Sequence, residues 1–201
     1  MPHAADPPLL LPPTVLLSYD AARLDALVVT HFAREAVLGL DCEWRPTFRP
    51  GQPPSPTALV QLSSASVCVL FPVAHLRACP PRLAALLNDG AVWKVGCGVR
   101  GDVERLLRDL GVTVRGIFDA AVAGQALGYA SPGLKGLCAA FGVALHKTKR
   151  VSLSNWEARP LQQRQQDYAA QDAFVSLQVV LWLHGKHGDG VQLLDWIAAN
   201  A

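Results

Sequence analysis

The chain has 201 residues, 51% of them hydrophobic and 17% charged, which suits one α/β domain with a sizeable core and crowds out two full ones. Lysine and arginine number 18 against 16 acids, a net charge of +2, so no global basic field marks a nucleic-acid binder and any such contact must use a local patch. Five cysteines (Cys42, Cys68, Cys79, Cys97 and Cys138) are odd in number and contain no Cys-x-x-Cys pair, so reduced thiols in an intracellular protein are expected rather than a disulfide framework or zinc site; nucleus and cytoplasm are not distinguished.

The start, MPHAADPPLLLPPT, lacks a basic segment and its apolar run is short and broken by prolines. No signal peptide is expected from it, and no apolar run approaches the roughly 18 residues of a membrane span. Residues 1–13 read as a flexible proline-rich tail and 14–201 as a single domain. TVLLSY predicts a first strand, and Asp20 then caps a helix whose Leu24, Leu27, Val28 and Phe32 recur at helical spacing. AVLGLDCEW and TALVQLSS follow as strands, joined by RPTFRPGQPPSP, an exposed loop with five prolines and one glycine. The short SAS before VCVLFPV predicts a hairpin, so these three strands form an antiparallel meander.

Next come a helix near 81–88, a strand AVWKVGCG, and an amphipathic helix in GDVERLLRDLG with Val103, Leu106, Leu107 and Leu110 on one face. VTVRGIF predicts a further strand, DAAVAGQALGY a helix capped by Asp119, and SPGLKGLCAAFG a small helix. After the basic run HKTKR, the stretch from Pro160 to about His184 is the longest helix, with Pro160 in its first turn. Strands first, then alternating strands and helices, then helices predict an α/β domain: a mixed sheet of antiparallel meander plus parallel strands, flanked by helices.

With so few charges, acids inside apolar runs stand out. Asp41 and Glu43 lie two apart on a predicted strand, which places both carboxylates on one face, roughly 6 to 7 Å apart along the backbone, with Cys42 pointing the other way. Like charges there repel and resist desolvation unless a cation sits between them; a strand end emerging into solvent is the plainer alternative. Asp102, in the first turn of the GDVERLL helix, also suits a cap or the positive end of the helix dipole. Tyr168 and Asp172 are spaced i, i+4 on the long helix and share a face with small alanines, although a core tyrosine with a carboxylate partner has the same spacing. Taken together, four carboxylates match two-metal phosphoryl chemistry. It needs hard oxygen ligands for two divalent cations, Mg²⁺ or Mn²⁺, roughly 3.5 to 4 Å apart and an open side for the phosphate. With an ordinary pKa of about 10, Tyr168 is suited to aiming a water rather than deprotonating it.

LGLDCEWRP, WKVGCGVRGDVERLL and YAAQD, in that order, resemble the three motifs of the DEDD exonuclease family in its tyrosine subclass, which includes ribonuclease D and the Werner-type exonucleases, the latter being the nearer match. ALVQLSS and LSNWEARPL add secondary matches, and the resemblance runs from about Leu38 to Leu183. It implies a ribonuclease H-like fold and a metal-dependent 3′-5′ exonuclease that hydrolyses DNA or RNA phosphodiesters from a 3′ end and releases nucleoside monophosphates. By the same resemblance Asp41 bridges both metals, Glu43 and Asp172 hold the water-activating one, Asp102 supports the second, and Tyr168 holds the nucleophilic water.

Substrate contacts are expected from Lys149, Arg150 and Trp156, next to Lys147 in the densest basic run, and from Trp44 and Arg45 beside Glu43. The alternative for that run is a solvated loop with a core-anchoring tryptophan. The expected partner is a nucleic acid with a 3′ end, with no membrane; protein partners or oligomerisation would supply processivity. A nuclease-fold module that holds a 3′ end without cutting is the competing reading, and the intact acids argue against it.

Overall fold

Alternating and continuous apolar runs build a six-stranded sheet in the computed structural model, which describes residues 10–47, 51–76, 78–145 and 147–201. β1 (Thr14–Leu17) lies at one edge, parallel to β4 (Val67–Phe71). The predicted meander is β2 (Val37–Trp44), β3 (Thr57–Ser63) and β4, with both pairings antiparallel. β5 (Trp93–Gly96) and β6 (Ile117–Asp119) extend the other side of β2 in parallel, so the order is β1-β4-β3-β2-β5-β6. Every residue of β3 and β4 is buried because helices cover both faces of the sheet.

On one face lie α1 (Ala21–Phe32), α2 (Pro81–Asn88) and α3 (Val99–Leu110), which bury Leu24, Phe32, Leu83 and Leu106 against Leu40, Val60 and Leu62. On the other lie α4 (Ala120–Ala126), α5 (Leu134–Ala140), the short α6 (Lys149–Ser152), the 25-residue α7 (Gln163–His187) and α8 (Leu193–Asn200). Asp20 caps α1 by accepting from the Arg23 N–H at 2.7 Å, as its position before the apolar pattern predicts. Lys94 is fully buried on β5, where its ammonium donates to the carbonyls of Leu86, Asp89 and Val92 at 3.3, 2.6 and 2.6 Å and so satisfies acceptors after α2. Desolvation pulls its pKa down to about 8.

Several expectations shift by a few residues, each for a tertiary reason. α3 starts at Val99, behind the left-handed Gly98, so Asp102 is not its cap; Leu107 is 56% exposed rather than on the buried stripe. Only Ile117–Asp119 of VTVRGIF pairs with the sheet; Val112 and Val114 are buried against the α1–α3 side without joining the ladder. Pro160 precedes α7 rather than entering its first turn, which opens instead with a Gln162–Gln165 capping box. Residues 1–9 of the expected tail lie outside the described residues, while Leu10 and Leu11 pack on the core and Pro12 is buried. The loop between β2 and β3 falls partly outside the described residues, at 48–50. All five cysteines are free, three of them buried. Among the described residues, no helix is long and apolar enough to cross a membrane.

Gln61 is a buried polar residue in the middle of the sheet. It is fully buried on β3, and neither its amide nitrogen nor its oxygen has a hydrogen-bond partner among the described residues. An orphaned buried polar group costs about 1–3 kcal/mol. Gln61→Met, of similar length, is therefore expected to raise Tm by about 2–4 °C per kcal/mol recovered, read by thermal melting. A lower Tm would mean that the amide is hydrogen-bonded in solution.

Candidate active site

The pleat of β2 sends Gly39, Asp41 and Glu43 to the face covered by α7, while Leu40 and Cys42 enter the opposite core. A register shift between Glu43 and Trp44 ends the regular pairing there and re-aims the strand end. α7 approaches β2 unusually closely: a Cβ on Gly39 would lie 2.0 Å from the Ala173 carbonyl oxygen. Ala169, Ala170 and Ala173, all fully buried, make that approach fit. The helical repeat then delivers Tyr168 and Asp172 to the carboxylates of β2. Ligand oxygens of Asp41, Glu43 and Asp172 lie within 4.8 Å of one another.

Asp102 comes from the opposite side of the strand ends, in the first turn of α3. Its position is set by Asp119, whose Oδ1 accepts from the Gly98 N–H at 2.9 Å and from the Ala121 N–H at 3.0 Å, tying the start of α3 to that of α4. Asp102 is 8% exposed and stands outside the tight three-carboxylate group. Desolvation pushes its pKa up to about 7, against the pull of Arg105. Asp41 is held well above the carboxylate range by burial first, then by Asp102, Asp172 and Glu43. Glu43 is raised in the same sense, by burial and then Asp172. Asp172 is also raised by burial, offset by Lys147 and the Tyr168 hydroxyl, and its Oδ1 is buried with no hydrogen-bond partner among the described residues. Four acids that resist ionising together, with one oxygen orphaned, fit hard divalent cations: the donors are all carboxylate oxygens and the missing ingredient is positive charge.

Lys147 supplies some of that charge. Its Nζ lies 2.7 Å from Asp172 Oδ2 and 5.7 Å from the Tyr168 ring centroid. The basic run was legible in the sequence, but its nearest member to the acids is Lys147, whereas Lys149 and Arg150 are exposed on α6. Trp156 is 1% exposed, donates its Nε1–H to the Ser152 carbonyl at 3.0 Å and packs on Tyr168 at 6.0 Å between centroids. It anchors the α6 region to α7 and offers no free face for a base. Gln165 completes that anchor through Ser154 Oγ and the Asn155 carbonyl. Trp44 packs with the core under Arg105, whose guanidinium carbon is 3.6 Å from the ring centroid, and Arg45 pairs with Glu157 at 3.5 Å on the surface. Arg105 and Glu157 carried no sequence signal beyond ordinary helix and loop charges. A cleft of about 720 Å³ near Thr57, His75, Asp109 and Glu157 is lined by none of the four acids.

The family model described as 3′-5′ exonuclease matches residues 19–185. The chain is 38% identical over 151 residues to Exonuclease 3′-5′ domain-containing protein 2 of Drosophila melanogaster, covering 74% of this chain and 25% of that protein. It is 34% identical over 189 residues to the bifunctional 3′-5′ exonuclease/ATP-dependent helicase WRN of Mus musculus, covering 90% of this chain and 13% of that one. The chain thus spans a quarter or less of both curated relatives. Trypanosoma brucei RNase D superposes with a TM-score of 0.79 at 23% identity, over 92% of this chain and 69% of that one, which establishes a shared ribonuclease H-like fold. Because the family match runs from before α1 almost to the end of α7, taking in every acid described above, the chain belongs to the 3′-5′ exonuclease family.

Proposed function

We propose that this chain is a metal-dependent 3′-5′ exonuclease that hydrolyses DNA or RNA phosphodiesters by a two-metal mechanism and releases nucleoside monophosphates. The observation that carries the reading is the convergence of Asp41, Glu43 and Asp172 oxygens within 4.8 Å at the open end of β2. Asp41, Glu43 and Asp172 would hold one cation and Asp41 with Asp102 the other. Bound there, the cations supply activation of water and stabilisation of the leaving 3′-oxygen.

The chain's own residues do the positioning. Burial, and Asp172 after it, keep the Tyr168 phenol protonated at any physiological pH, so it acts by hydrogen bonding and not as a base. Its contact with Trp156 holds the ring, and the i, i+4 spacing holds the hydroxyl beside Asp172, where it aims the attacking water. Tyr168→Phe is accordingly expected to lower kcat by roughly 10- to 100-fold with little change in KM. Steady-state kinetics check this, and an unchanged kcat removes the role.

The direct test is a Mg²⁺- and Mn²⁺-titrated assay on 5′-labelled single-stranded DNA, recessed duplex DNA and RNA. A ladder shortening from the 3′ end in single-nucleotide steps is expected on at least one of them. Absence of metal-dependent shortening on all three would overturn the proposal.

A further inference from the structure

Lys147 sits among the acids without being buried with them. Asp172 is 4% exposed at its side chain, whereas Lys147 is 34% exposed. An ammonium carries three donors, and Asp172 is the acceptor this one has among the described residues. Lys147 also borders a cleft of about 340 Å³ shared with Lys135 and Thr148. A purely structural counter-ion would turn its donors inward, as Lys94 does onto three carbonyls. Lys147 has one such acceptor among the described residues and is one-third exposed.

We propose that Lys147 is a substrate-binding residue: it neutralises Asp172 while no metal is bound, and contacts a phosphate oxygen of the strand end once divalent cations occupy the carboxylates. The proposal rests on the metal-dependent reading above. Charge balance supports it. Four ionised carboxylates match two divalent cations, so the Lys147 ammonium at Asp172, like the Arg105 guanidinium acting on Asp102, is positive charge that the metal-bound acids no longer need and a phosphodiester can take up. Reach supports it too. The three clustered carboxylates span only 4.8 Å, and the ammonium is already 2.7 Å from one of them, so a phosphate over the cluster lies within a rotamer change of its four-carbon stem.

The test pairs two binding measurements on the full chain, for wild type, Lys147→Met and Lys147→Arg, with Lys147→Gln as a second neutral variant and cooperative melting as the check of folding. The first is fluorescence anisotropy of a single-stranded oligonucleotide with a 3′-hydroxyl, in Ca²⁺ and across a salt series. The second is calorimetric Mn²⁺ binding without oligonucleotide. The neutral variants are expected to bind the oligonucleotide about 10-fold more weakly, with a log–log salt slope shallower by about 0.7, and the arginine to restore most of the affinity. Mn²⁺ should bind the neutral variants at least as tightly as wild type, because Asp172 is released. Unchanged oligonucleotide affinity and slope would overturn the proposal, as would weakened Mn²⁺ binding, which would make Lys147 a support of the acids. Wild type that binds the oligonucleotide but shortens none of single-stranded DNA, recessed duplex DNA and RNA in Mg²⁺ or Mn²⁺ sinks the exonuclease reading and leaves Lys147 standing; wild type that does not bind the oligonucleotide overturns the Lys147 proposal.

Discussion

Asp41→Asn is expected to lower cleavage by about 1,000-fold or more and, in the same protein, to raise the melting temperature of the metal-free form. Both effects follow from one position. Asp41 lies within reach of Glu43, Asp102 and Asp172, and each of them pushes its pKa further up after burial has done so. Removing the charge at near-constant shape relieves that repulsion, yet it also replaces one of the two carboxylate oxygens proposed to serve the two cations by an NH₂ that cannot bind metal, worth several kcal/mol at a developing charge. The pH dependence has a definite sign. Folded-state pKa values raised above the ordinary value of 3.8, up to about 7 for Asp102, mean that the folded protein holds more protons than the unfolded chain. That contribution to stability is fully present below about pH 4 and lost as pH rises through the folded values, so metal-free wild type should melt lower at pH 7 than at pH 5. The slope should be shallower in Asp41→Asn. A series of melts with chelator present checks both signs, and an identical slope in the two proteins would show that Asp41 is not part of the repulsion.

Gly39→Ala should be the most damaging single methyl group in the chain. Its Cβ would stand 2.0 Å from the Ala173 carbonyl oxygen and 2.9 Å from the carbonyl carbon, both backbone atoms of α7 that have no rotamer to move. Either β2 bends or α7 lifts. We expect a loss of about 3 kcal/mol, at the upper end of ordinary overpacking, and a Tm lower by about 6–12 °C. Because the same contact carries Asp172 and Tyr168 to Asp41 and Glu43, a lift of even about 1 Å should cost roughly 100-fold in turnover of the protein that remains folded. Gly185→Ala, on the same helix but with nothing within 4 Å of the added methyl, is the matched control. It should gain about 0.5–1 kcal/mol from helix propensity. Thermal melts of the pair separate a specific close approach from a general effect of glycine replacement.

Local rules account for much of what was readable in advance. Asp20 and Asp119 both cap helices where an acid precedes an apolar periodic run. The alternation of β2 assigns Asp41 and Glu43 to one face and Cys42 to the other, and the i, i+4 spacing of Tyr168 and Asp172 needs nothing beyond helix geometry. Where expectation and structure part, a distant group is responsible. Asp119 fixes the Gly98 turn from 21 residues away, so α3 begins earlier than its amphipathic stripe indicates. α8 carried no anticipated signal, and its Trp196 and Ile197 are buried by packing with α7. Gln61 was visible as a polar residue in an apolar run, but its place directly across from Asp41 depends on the register of β2 with β3.

By itself the sequence determined the order of strands and helices, the sidedness of each acid on its own element, and the motif order that places the chain among exonucleases, because periodicity and capping act within a few residues. Only the tertiary structure decided that α7 lies close enough to β2 to bring three carboxylates within 4.8 Å, and that Lys147 rather than Lys149 reaches them. The first depends on segments more than 100 residues apart, where the absence of a side chain at Gly39 sets the distance to Ala173, and the second on how Trp156 docks the α6 region on α7; no local pattern encodes either.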